Sequence, residues 1–151
     1  MNPIISKLKW GSTWKLLGLG VITYAVYLTH YARKQTLVIN EFCPEDRKIG
    51  KAFIVALFVV TYLSLALLPV YILVPEGHPL EKVSEVVDRI NMIFLLVWAF
   101  KARNRLNAIL KAHHGSDLWF GGVPTFFLTE LYINYKINVL SEKPLTVAPV
   151  G

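Results

Sequence analysis

Hydrophobic and polar positions fall into long blocks along the chain rather than mixing evenly. Four apolar segments, at about residues 16–31, 52–74, 90–102 and 118–133, are separated by short stretches in which the charges collect. A bilayer selects that distribution, because a charge at its centre costs about 2.5–3.5 kcal/mol on the mildest scale. The pattern predicts an all-α fold and a polytopic membrane protein. The second and third segments are the expected transmembrane helices, and the first and fourth are short membrane-embedded or re-entrant helical segments. Residues 1–140 are expected to form a single helical membrane domain, and 141–151 an irregular tail.

Segment lengths sharpen this expectation. Residues 52–74 carry no charge over 23 positions, a reach of about 35 Å against a hydrocarbon core of about 30 Å. Pro69 is expected to kink this helix near one end, and Ala52, Ala56, Ser64 and Ala66 give it small faces for a close neighbour. The run Pro75-Glu76-Gly77-His78-Pro79 stops it. The third segment has an amphipathic approach at 80–89, turns apolar, and continues as a helix carrying Arg103, Arg105 and Lys111 out of the lipid. Segments one and four have 16 residues each and reach only about 24 Å. Segment one is expected to run on as a helix through Asn40 until Pro44 ends it. Segment four opens on Trp119-Phe120-Gly121-Gly122-Val123-Pro124, which predicts a broken or re-entrant entry.

Charge adds orientation. The net charge is +6, but the basic residues flank apolar segments instead of forming a water-facing basic and aromatic surface, so nucleic acid is not an expected partner. Anionic lipid headgroups are. Trp10 and Trp14 beside Lys7, Lys9 and Lys15 have the composition of a headgroup interface. If all four segments cross, nine of the sixteen Lys and Arg residues lie inside. If only the second and third cross, fourteen lie inside and only Lys82 and Arg89 outside. The stronger bias favours both termini on the cytoplasmic side. Tyr24, Tyr27, His30, Tyr31 and Arg33-Lys34 stand where a signal-peptide cleavage site wants small residues, so the N-terminus is expected to be retained. The single Cys43 excludes an internal disulfide and reads as an ordinary free thiol.

Three apolar segments end alike. Tyr31-Ala32-Arg33-Lys34 is followed by Asn40. Trp98-Ala99-Phe100-Lys101-Ala102-Arg103-Asn104-Arg105-Leu106-Asn107 and Tyr132-Ile133-Asn134-Tyr135-Lys136-Ile137-Asn138 repeat the passage from aromatic to basic to asparagine. Any helix leaving the bilayer at a basic interface gives this series, and related halves would give it too. Trp10, Trp14, Arg33, Lys34, Arg103, Arg105, Asn107, Lys136 and Asn138 are accordingly expected at a lipid-facing basic and aromatic interface. The closing segment, with Gly20-Val21-Ile22-Thr23-Tyr24 and Tyr27 near the start, resembles a small bacterial membrane-protein family of unknown function. That family opens on a Thr-Leu-Gly-Ile-Tyr type segment and closes on a Tyr-x-Gln-Tyr-Lys-Ile-Asn type segment; Asn134 stands here at the glutamine position. The resemblance implies a bacterial inner membrane and no particular activity.

Candidate chemistry is sparse. Glu130 is an ionisable residue at membrane depth, and on a helix it shares a face with Asn134, with Thr125 and Thr129 one strip away. Such a groove would relay a proton or hold a cation; the plainer expectation is a Glu130 near the interface, paired with Lys136 or a neighbouring segment. His113 and His114 point about 100° apart on a helix and do not chelate one metal together. With Asp117 they read as solvated loop residues. No nucleotide loop, nucleophile elbow, zinc spacing or haem pair is evident, so no cofactor, metal or catalytic residue is expected. The expected role is a non-catalytic accessory or assembly subunit, with a membrane-protein partner or further copies of itself around it. The alternative is an oligomeric channel or small-solute carrier, motivated by Glu130 and by the glycines of segments one (Gly18, Gly20) and four (Gly121, Gly122) with Pro124.

Overall fold

The computed structural model describes residues 2–142, and all regular structure in them is helical. Helix α1 (Pro3–Leu8) starts on proline, with the Asn2 side chain accepting from the Ile4 N–H at 3.2 Å. Helices α2 (Thr13–Ile22) and α3 (Val26–Glu41) follow. Helix α4 (Lys51–Leu67) stops ahead of Pro69, and α5 (Val70–Leu73) is the single turn beyond it. Helix α6 (Pro79–Ile109) has 31 residues and opens with Pro79 at its first position, a pre-set φ where no donor is missed. Helix α7 (Gly122–Glu142) is interrupted at Thr129.

Segment one is not one rod. The backbone breaks between α2 and α3, where Tyr24 (φ 48°) and Ala25 (φ 67°) take left-handed conformations. Trp10 then donates from its indole N–H to the Tyr27 hydroxyl at 3.2 Å. Along a straight helix those residues would lie about 25 Å apart, so α2 and α3 form a hairpin. Its legs pack so closely that a Cβ at Gly20 would sit 2.9 Å from the Leu28 side chain. Helix α3 does run through Asn40, as its sequence suggests.

Segment four also turns back, but not at its glycines. Thr129 has φ 44° and ψ −120°, and the Gly121 N–H donates to the Tyr132 hydroxyl at 2.9 Å. A continuous helix would separate that pair by about 16 Å, so α7 enters over 122–128 and returns over 130–142. It extends beyond residue 133 and takes in Ser141 and Glu142, which the sequence assigns to the tail; positions 143–151 lie outside the described residues.

Both hairpins open at one end of the bundle. There Lys7 pairs with Glu41 at 2.7 Å, Arg105 donates to the Arg47 carbonyl at 2.7 Å, and Asn134 and Asn138 both donate to the Gly11 carbonyl. Helix α4 leaves this basic end and α6 returns to it, with Thr29, Thr61 and Asn91 bonded in series midway. Glu45–Leu73, taken with its flanking turns, is the one helix among the described residues long and apolar enough to cross a membrane, at mean hydropathy 2.5. Helix α6 is longer, but the charges at both ends dilute its apolar stretch.

Two asparagines fix the connections at the basic end. Asn40 accepts from the Ile49 N–H at 2.8 Å and donates to the Ile49 carbonyl at 3.0 Å. Asn107 does the same to Phe120, at 2.8 and 3.1 Å. Each clamped residue is buried and followed by a glycine that opens the next helix. Nine residues before each asparagine stands a buried aromatic, Tyr31 or Trp98, whose rings meet edge-on at 6.0 Å. The similar endings of segments one and three thus belong to two matching helix–clamp–helix units.

Candidate functional site

The two hairpin tips meet. Ala25 from the first and Phe126, Phe127, Thr129 and Glu130 from the second line a cavity of about 710 Å³, closed on a third side by α6. The Glu130 carboxylate is buried here at 1% exposure. Its Oε2 accepts from the Thr129 hydroxyl at 2.7 Å, while Oε1 has no hydrogen-bond partner. A buried acceptor left in that state costs about 1–3 kcal/mol, more if charged. The left-handed backbone at Thr129, unusual for a β-branched residue, swings the chain so that this carboxylate faces inward.

A second acid lines a neighbouring cavity. Asp88, on α6, accepts from the hydroxyls of Tyr24 at 2.7 Å, Tyr71 at 3.0 Å and Ser64. Three hydroxyl donors from three elements satisfy a carboxylate well without a cation. The adjoining cavity of about 380 Å³ is lined by Gly20, Tyr24, Ser64, Asp88 and Asn91, and shares Ala25 and Met92 with the first.

The four polar residues grouped on segment four are split by the fold. Thr129 stays with Glu130. Thr125 donates to the Gly121 carbonyl at 2.6 Å, and Asn134 donates to Gly11 and Thr13 at 3.0 Å each. Glu130 is buried within the protein, its carboxylate bonded to Thr129. Its distance from water follows from the kink, which carries the start of the returning leg into the interior.

Of the expected interface residues, Trp14 stands 81% exposed and Arg33 and Lys34 are exposed. Lys34 lies 3.9 Å over the Trp10 ring. Arg103 and Arg105 are half-buried, Arg103 donating to the Phe120 carbonyl at 2.8 Å. Lys136 and Asn138 are half-buried. Asn107 is a correction: it is buried in its clamp and does not face lipid. His113 and His114 are exposed loop residues, and no metal-holding group of His, Cys, Asp or Glu occurs among the described residues. Burial pushes the Cys43 thiol up, against the pull of Arg105, Lys48 and Arg47, which keeps it a weak nucleophile.

Asp88 falls in the amphipathic approach at 80–89, and nothing in the sequence singles it out as joined to hydroxyls of other segments. The signal present is a helical stripe: Ser84, Asp88, Asn91, Leu95, Trp98 and Ala102 recur at four- and three-residue steps and point inward. No protein-family model, curated protein or solved structure matches the chain.

Proposed function

We propose that the chain is an integral membrane protein with two crossings, α4–α5 and α6, and two hairpins that enter from the basic side and turn back. Within the membrane it acts without catalysis of its own, as an accessory or assembly subunit of a larger complex. One observation carries the membrane placement: polar side chains lie buried inside while large apolar side chains stand exposed outside. Thr29, Gln35, Thr61, Ser64, Asn91 and Glu130 are buried, while Val55 (61%), Ile72 (82%) and Phe127 (75%) stand exposed. Water penalises that arrangement, and lipid tolerates it because inside the protein Thr29, Thr61 and Asn91 bond in series, Ser64 bonds Asp88 and Gln35 donates to the Leu8 carbonyl. The subunit role is supported by the relief of α7, where Phe126 and Phe127 stand exposed at the edge of one cavity and Leu128 and Leu131 line a second. A neighbouring membrane helix fits such a surface. The cellular placement, a bacterial inner membrane with cytoplasmic termini, rests on the family resemblance and on the bias of basic residues.

Extraction of a tagged chain from its native membrane in mild detergent tests this reading. A heterologous partner at fixed stoichiometry is the expected result. Release of the chain by alkaline carbonate overturns the membrane placement, and a clean homo-oligomer overturns the subunit role.

A second reading, an oligomeric small-solute carrier, is favoured by the meeting of two broken segments at an acid-bearing cavity, the usual construction of carrier sites. In that case Glu130→Gln abolishes flux and leaves assembly intact.

A further inference from the structure

We infer that the Glu130 cavity is a binding site for a lipophilic amine, with the ammonium group on Glu130 and the apolar body between α6 and the tip of α7. The inference rests on the membrane placement for its route of entry and is separate from both readings of function, since a bound amine serves a subunit or a carrier equally.

Three observations converge on it. Glu130 lines the cavity, and its Oε1 is buried and unpartnered, so the site lacks a donor. A protonated amine supplies one in its strongest form, a charge-assisted N–H to carboxylate bond. The remaining walls, chiefly Leu28, Met92, Ile93, Leu96, Phe126 and Phe127, are apolar, which excludes a small hydrated cation and suits an alkyl or aromatic body. The volume of about 710 Å³ falls in the range of about 300–1,000 Å³ usual for small-molecule sites.

Both hairpin turns that bound the cavity carry strained backbone. Ala25 and Thr129 both take left-handed conformations, and both border the cavity. Strain of this kind persists where surrounding structure enforces it, and it gathers at ligand sites. Arg89, the other charged residue of the lining, is largely exposed and reaches Glu85 at 3.3 Å. It therefore stays at the mouth and leaves the carboxylate to the ligand.

The test uses the purified full chain in lipid nanodiscs and two photoreactive probes of equal length, a diazirine-bearing alkylamine and the matching alkanol. The amine should label the 92–96 and 126–127 stretches saturably, with half-saturation at least tenfold below that of the alkanol. Glu130→Gln should bring that ratio close to one. Leu96→Trp, which fills the cavity, should remove site labelling by both probes while the thermal unfolding profile is kept. The ratio is read within each variant, so a general loss of stability does not imitate the effect. Equal labelling by the two probes in the unaltered chain overturns the proposal. So does a preference that survives Glu130→Gln, or labelling spread evenly over outward residues such as Val55 and Ile72.

Discussion

Asn40 and Asn107 each commit a whole carboxamide to the backbone of one residue, accepting from its N–H and donating to its carbonyl. The clamped residues, Ile49 and Phe120, are buried where no strand or helix would pair their backbone, so the asparagines supply what secondary structure does not. Asn107→Ala should lower stability by about 1–3 kcal/mol, the cost of stranding buried backbone groups. Asn40→Ala should cost a similar amount and the double variant about the sum, since separate sites add. Unfolding in detergent, followed by tryptophan fluorescence, measures all three; an unchanged midpoint for Asn107→Ala would show the clamp to be idle. The sequence singles out Asn107 through its recurring motif. It does not give the role, because the bonded partner lies 13 positions on, beyond any local rule.

At the scale of elements, the sequence locates the apolar segments, the stop at Pro75–Pro79 and the long continuity of α6. It also says that segments one and four are too short to cross as straight rods, and both prove to be hairpins. What it misplaces is the turning point. Gly121, Gly122 and Pro124 advertise a break, yet Pro124 sits comfortably in the first turn of α7 and the chain reverses at Thr129. Threonine carries no turn signal there, and tertiary packing overrides its preference. The backbone at φ 44°, ψ −120° suits glycine far better than a β-branched residue. Thr129→Gly should therefore keep the hairpin, relief of strain offsetting the lost bond to Glu130. Thr129→Pro, which demands a φ near −65°, should break it. Limited proteolysis of the detergent-solubilised chain distinguishes the two: protection resembling the unaltered protein for glycine, new cleavage in the 122–135 region for proline. Equal protection of both variants would mean that the turn at Thr129 does not organise α7.

For the whole molecule, the two hairpins decide how charge is sorted. Because each returns to the end it entered, the N-terminal segment, the clamp loops and the close of α7 share that end with most of the basic residues. Lys82 and Arg89 belong to the first half of α6, away from it. The count of fourteen against two made from the sequence thus acquires a structural cause: in the proposed placement only α4–α5 and α6 carry the chain across. A four-crossing protein would put the N-terminal segment on the side of the Pro75–Pro79 turn. Single cysteines at Ser6, His113 and Glu76, introduced over Cys43→Ala and probed with an impermeant maleimide in vesicles of known orientation, test this most directly. Ser6→Cys and His113→Cys should label from one side and Glu76→Cys from the other. Labelling of Ser6→Cys together with Glu76→Cys, opposite His113→Cys, would contradict it.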